Sequence, residues 1–176
     1  NVHYDGMGTR VTREWLGCPE FIRDASQMES AYRWARRGTG KSDRRKALRA
    51  DVIVTTSGML DGGPALWYLN RLRHDGSNAI LLTGYQAEGS GGRRLLETGR
   101  LPIFGNQTRI PLEIDKFELS NHADHPSLCK FARECDPSHV VLFHADEGAT
   151  KAIEADLAVE TKVYLPSNNE TLEILN

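Results

Sequence analysis

Apolar positions in this chain fall in short continuous runs that alternate with stretches of helical spacing, and this alternation sets the expected architecture. "NVHYD", followed by "GMG" and "TRVTREWL", reads as a short strand, a glycine turn and a helix. In "SQMESAYRWARR" the residues Met28, Ala31, Tyr32 and Ala35 recur at helical spacing, with Ser26 placed as the N-cap. "DVIVTT" and "AILLTG" are strands of the buried type. Between them, "SGMLDGGPALWYLNRLR" is a glycine loop running into a helix opened by Pro64. The strand–loop–helix–strand unit from Asp51 to Gly84 therefore predicts two parallel strands joined by a right-handed crossover.

The pattern then changes. "RLPIFGNQTRIPLEIDKFEL" alternates apolar and polar residues around "GNQ", as an antiparallel hairpin would. After His122 the α/β alternation returns: helix "PSLCKFAREC", strand "HVVLFHA", helix "EGATKAIEADLA" and strand "KVYLP". The whole reads as α/β with a seam just before Ser120, dividing residues 1–119 from 120–176, and contains no internal repeat.

Composition narrows the class. A chain of 176 residues, 39% hydrophobic and 26% charged, suits a globular protein with a sizeable core. A net charge of −2 gives no global attraction to nucleic acid or membrane, so any anionic partner must meet a local patch. Such a patch exists between positions 30 and 50, where Arg33, Arg36, Arg37, Lys41, Arg44, Arg45, Lys46 and Arg49 face only Asp43. It reads either as a solvated face on a mobile, glycine-broken connection or as a phosphate-backbone contact surface. "RRGTGKSD" is not a phosphate loop: the motif needs glycine where Ala35 stands, and the segment follows a helix rather than a strand. Cys18, Cys129 and Cys135 are odd in number without a CxxC pair, as reduced thiols of a cytoplasmic protein would be. No apolar run is long enough to span a membrane. The N-terminus has no signal-peptide pattern and no initiator Met, and reads as a chain entered partway through.

Candidate chemistry concentrates in the loops. Ser57 and Gly58 directly follow a strand, where parallel sheets bind ligands and small residues admit close backbone approach. "LLTGYQAEGSGGRRLL" repeats the theme, so two glycine-rich loops are expected to line one crevice with backbone N–H groups and Arg93 or Arg94. His122 and His144 each begin a His-Ala-Asp triplet after a strand-like run. Imidazole ligates zinc or donates a proton to a leaving oxygen, but a zinc centre needs three or more protein ligands, and the chain has no HxH, HExxH or CxxC cluster.

The stretches "VIVTTSGMLDGGPALWYL", "ILLTGYQAEGSGGR", "LSNHADHPSLCKF" and "VVLFHADE" fall in the order and spacing of the β-CASP ribonucleases of the metallo-β-lactamase superfamily, which the chain resembles over nearly its whole length. "NVHYDGMGTRVTREWL" is similar to the strand–glycine–helix of the same cassette. The resemblance implies a Rossmann-like β-CASP cassette with a parallel sheet and flanking helices, incomplete at its N-terminus, followed by the C-terminal part of a lactamase fold. It implies a zinc-dependent nuclease that hydrolyses RNA phosphodiesters, of the mRNA 3′-end-processing type, with two zinc ions in the complete enzyme. His122 would protonate the leaving group, and His144 would complete the coordination of one zinc. The resemblance implies RNA contact at the Ser57–Gly58 loop, with Arg93 beside it, while Arg44, Arg45 and Lys46 of the basic segment would add contact by charge alone. The remaining ligands, in a His-x-His-x-Asp-His run and beyond, would lie in an N-terminal lactamase half that this chain lacks, so its own zinc site is incomplete and the isolated chain is expected to be inactive.

Two departures from the family pattern are Asn121, where a small residue is usual, and Ala145, where glycine is usual. The resemblance leaves a homodimer, endo- or exonucleolytic action and RNA preference open. Two other classes compete: a non-catalytic RNA-binding or scaffold module, and a Rossmann-like nucleotide binder, which lacks GxGxxG after its first strand.

Overall fold

The computed structural model describes residues 1–38, 40–103, 105–117, 119, 122–143 and 146–174. It is an α/β protein that divides into two compact units, Asn1–Leu119 and Ser120–Asn176.

The first unit opens with strand β1 (Val2–Asp5), helix α1 (Gly8–Leu16) and helix α2 (Ala25–Trp34). Asp24, not Ser26, caps α2: its carboxylate accepts the Gln27 N–H at 2.8 Å. Asp and Ser are both good caps, and the one that precedes the first helical residue takes the position. The basic segment that follows is more ordered than its glycines suggest. It forms a two-residue strand β2 (Arg36–Arg37) and a helix α3 (Lys41–Ala47) anchored by the buried Ala47. The connection expected to be mobile thus contains a packed helix.

Strand β3 (Val52–Thr55) and strand β4 (Ala79–Leu82) flank helix α4 (Gly63–Leu72), with Pro64 in its first turn as expected. They do not pair with each other. β3 pairs in parallel with β1, Val2 opposite Val52 through Asp5 opposite Thr55, in a sheet ordered β2-β1-β3. After helix α5 (Gly91–Thr98), strands β5 (Arg100–Ile103) and β6 (Asn106–Arg109) form the expected antiparallel hairpin. The hairpin stops there, because strand β7 (Glu113–Lys116) turns away to pair in parallel with β4. The hydrogen-bonding needs of β3 and β4 are thus met by distant strands that the local sequence does not single out. Their apolar runs are also not buried on both faces: Val52, Val54 and Leu81 are exposed within this chain. The core of this unit gathers Leu60, Ala65, Leu69, Leu82, Leu95, Leu101, Ile103 and Ile110 from α4, β4, α5, β5 and the adjoining loops.

The second unit contains helix α6 (His125–Cys135), strand β8 (His139–Val141), helix α7 (Glu147–Leu157) and strand β9 (Lys162–Tyr164). β8 and β9 pair in parallel, and Cys129, Ile153 and Leu157 form its buried cluster. No helix among the described residues is long and apolar enough to cross a membrane.

Candidate nucleic-acid interface

The turn after β1 and the loop after β3 lie side by side, since the two strands are paired through their last residues. Thr56 Oγ1 accepts the Met7 N–H at 3.0 Å. Beneath them Asp5, with none of its surface exposed, accepts hydrogen bonds from Arg44 Nε (2.7 Å), the Tyr68 hydroxyl (2.8 Å) and the Gly6 N–H (2.6 Å). Burial alone would push the Asp5 carboxyl upward, but these donors outweigh it and hold the group below the ordinary carboxylate range. The same contact raises Arg44, and burial together with Asp5 raises Tyr68. Arg44 therefore serves the fold: its side chain is only 25% exposed and its guanidinium is engaged by a core carboxylate.

The loop after β3 holds two non-glycine residues at positive φ, Ser57 (73°) and Leu60 (57°). The left-handed region costs an L-residue roughly 1–2 kcal/mol. Burial of Leu60 in the core and its N–H bond to the Ser57 carbonyl (2.9 Å) offset that cost. Strain of this kind collects at ligand-binding loops.

The two glycine-rich loops do meet, as expected, but the N–H groups of Gly91, Gly92 and Arg93 turn inward. Asp61 Oδ1 accepts the Gly91 N–H at 2.7 Å, the Met59 carbonyl accepts that of Gly92 at 2.7 Å, and Ser90 Oγ accepts that of Arg93 at 3.2 Å. The first turn of α5 is thereby satisfied by protein groups rather than presented to an anion. Arg93 lies exposed on α5, paired with Glu97 at 2.5 Å. Glycine is required where the loops touch: a Cβ on Gly91 would come within 2.5 Å of the Leu60 carbonyl oxygen, and one on Gly92 would overlap the buried Gln86 side chain. Gly91→Ala is expected to lower the stability of this unit by about 1–3 kcal/mol, as overpacking does, read from a lower urea midpoint with an unchanged slope.

The basic segment divides in the same way between fold and surface. Arg33 pairs with Glu29 at 2.7 Å, and the Arg37 guanidinium lies over the Tyr32 ring and donates to the Tyr32 carbonyl. Lys46 makes a long pair with Asp43 at 3.8 Å, and Arg45 is exposed on α3.

In the second unit the two His-Ala-Asp triplets acquire a common structural meaning. Asp124 and Asp146 are the N-cap residues of α6 and α7, two positions after His122 and His144 in the sequence. The Asp124 carboxylate accepts the Ser127 N–H at 2.9 Å, and hydrogen bonds from the Ser127 side chain and backbone hold the carboxyl below its ordinary range. His122 is exposed at the entrance to α6. His144, Ala145 and Asn121 lie outside the described residues. A cluster that the sequence pattern did not suggest lies nearby along the chain: His125 and Cys129, one helical turn apart on α6, meet Asp156 of α7. The signal was present only in part, as a His-x-x-x-Cys spacing, since nothing local brings Asp156 to it.

Residues 1–95, more than half of the chain, match the family model of the Beta-Casp domain. The chain belongs to the β-CASP family. Residues 108–166 of this β-CASP chain match the model described as the Zn-dependent metallo-hydrolase RNA specificity domain, a stretch that begins within β6 of the first unit and includes His122 and His144. Among similar proteins, the probable RNase MJ4 of Methanocaldococcus jannaschii is 35% identical over 151 residues, covering 83% of the chain and 35% of the relative. RNase aCSPSF2 of Saccharolobus solfataricus is 33% identical over 179 residues, 98% of the chain and 36% of the relative. Transcription termination factor FttA of M. jannaschii is 29% identical over 197 residues, 98% of the chain and 31% of the relative. The β-CASP chain thus spans about a third of the length of the curated relatives it matches.

Proposed function

We propose that this chain is part of a zinc-dependent RNA-processing nuclease of the mRNA 3′-end-processing type, acting in the cytoplasm on RNA phosphodiesters. The observation that carries this reading is the match of residues 108–166, with both histidines, to an RNA specificity domain of zinc-dependent hydrolases. His122, exposed ahead of α6, is the proton donor to the leaving oxygen as the phosphorus–oxygen bond breaks. His144 is one protein ligand of the zinc centre, and the bound zinc supplies a Lewis acid at the phosphate. The other ligands belong to an N-terminal lactamase half. One ligand is below the three that a catalytic zinc needs, so the 176-residue chain is expected to bind RNA without cleaving it.

RNA is held by charge in this reading, through the exposed Arg45 and Lys46 of α3 and Arg93 of α5, with the strained Ser57–Gly58 loop as a further contact. Arg44 is excluded from the test because of its bond to Asp5. In the double variant Arg45→Gln/Lys46→Gln, binding to a single-stranded RNA should weaken and the plot of log affinity against log salt should flatten by roughly 1.4, at about 0.7 per single-strand phosphate contact. An unchanged slope would remove α3 from the interface. Cleavage by the chain alone would remove the need for a second half.

A further inference from the structure

We propose that His125, Cys129 and Asp156 form a zinc-binding site that clips α6 to α7. The three donor atoms lie within 4.8 Å of one another, with His125 Nε2 2.6 Å from Asp156 Oδ2 and 3.6 Å from Cys129 Sγ. Zinc bonds of about 2.3 Å to sulfur and about 2.0–2.2 Å to nitrogen and oxygen place tetrahedral donors roughly 3.3–3.7 Å apart. The cluster reaches that geometry by opening the His–Asp pair by under about 1 Å and drawing the outer donors in by a similar amount.

The donor chemistry selects the metal. A thiolate, a neutral imidazole and a carboxylate suit zinc; magnesium and calcium take all-oxygen sets. Thiolate and carboxylate together carry two negative charges, which balance a divalent ion. Helical i,i+4 spacing puts His125 and Cys129 on one face of α6, and that face packs on α7. Cys129, only 2% exposed, holds the inner side of the site. His125 and Asp156, with 37% and 55% of their side chains exposed, form the outer side, so water can reach the fourth position. Arg133, the nearby cation, is engaged by Glu160 and by the Asp156 carbonyl.

A clip here has a clear physical use. The buried cluster of this unit comprises three side chains among the described residues, and small cores gain most from a metal staple. The staple would join the first two turns of α6 to the last turn of α7, just after His122 and Asp124. None of the three residues is one that the resemblance assigns to the two-zinc centre, so this ion would be additional to it.

The test uses the 176-residue chain titrated with Co²⁺ and then Zn²⁺. A thiolate-to-cobalt charge-transfer band in the near ultraviolet is expected, and zinc should displace it. The band should be absent in Cys129→Ser and unchanged in Cys18→Ser/Cys135→Ser and in His144→Ala. His125→Gln and Asp156→Asn should each weaken zinc by at least about 100-fold, since even loss of an outer-shell partner costs 10–100-fold. The latter two changes lie on exposed side chains, so they decide the matter if Cys129→Ser fails to fold. No band, a band that survives Cys129→Ser or follows the exposed cysteines, or equal zinc affinity in Asp156→Asn would each leave the cluster a hydrogen-bonded His–Asp pair over a core thiol.

Discussion

Replacing Asp5 with alanine is expected to cost the first unit about 3–5 kcal/mol, the usual cost of breaking a buried ion pair. The carboxylate is fully buried and takes three donors, from Arg44, Tyr68 and the Gly6 backbone. Its loss leaves a largely buried guanidinium without its counter-charge and a buried tyrosine hydroxyl without its acceptor. Tyr68→Phe removes one neutral partner only and should cost about 0.5–1.5 kcal/mol. Trp15, Trp34 and Trp67 all lie in the first unit, so tryptophan fluorescence during urea unfolding reads that unit alone. The pH dependence follows from the lowered Asp5 pKa. Stability from this group is fully present above the ordinary carboxylate value and is lost as the pH falls through the lowered one. Asp5→Asn keeps the shape and an acceptor oxygen, and should flatten that acid limb. Equal urea midpoints for Asp5→Ala and the parent would mean that the cluster does not hold the β1–α3–α4 junction.

This junction also marks where the sequence stops being readable. The local elements were legible because their signals are local: Pro64 opens α4, apolar residues at helical spacing give α2, and the alternation around Gly105 gives the β5–β6 hairpin. Partners distant in sequence were not. Arg44 reads as one more cation in a basic run, and only the fold brings it to Asp5, 39 residues away. β3 and β4 read as neighbours because a crossover unit is the simplest topology, yet each finds its ladder elsewhere, β3 on β1 and β4 on β7. The glycine loops were correctly expected to meet. That the N–H groups of Gly91, Gly92 and Arg93 are taken up by Asp61, Met59 and Ser90 depends on tertiary geometry that composition does not encode. The aspartates of the His-Ala-Asp triplets take N-cap positions only once the helix starts are fixed at His125 and Glu147, and the Asp124 side chain caps α6.

The second large effect concerns the histidines themselves, in the complete enzyme. His122→Ala removes the proposed proton donor and should slow single-turnover cleavage by about 10²–10⁴-fold with the metal content unchanged. His144→Ala removes the proposed zinc ligand and should lose or loosen one zinc as well as activity. RNA affinity should survive both changes, because phosphate contacts are spread over many side chains. The zinc proposed at His125, Cys129 and Asp156 should be retained in both variants, so the metal count is read as a difference from the parent.

Metal content measured beside single-turnover RNA cleavage, for His122→Ala and His144→Ala in the full-length protein, tests the proposed function most directly. Slow cleavage with full metal is expected for the first variant, and slow cleavage with one zinc lost or weakened for the second. Loss of metal in His122→Ala with full retention in His144→Ala would reverse the roles, and unimpaired cleavage in both would contradict the assignment of this site.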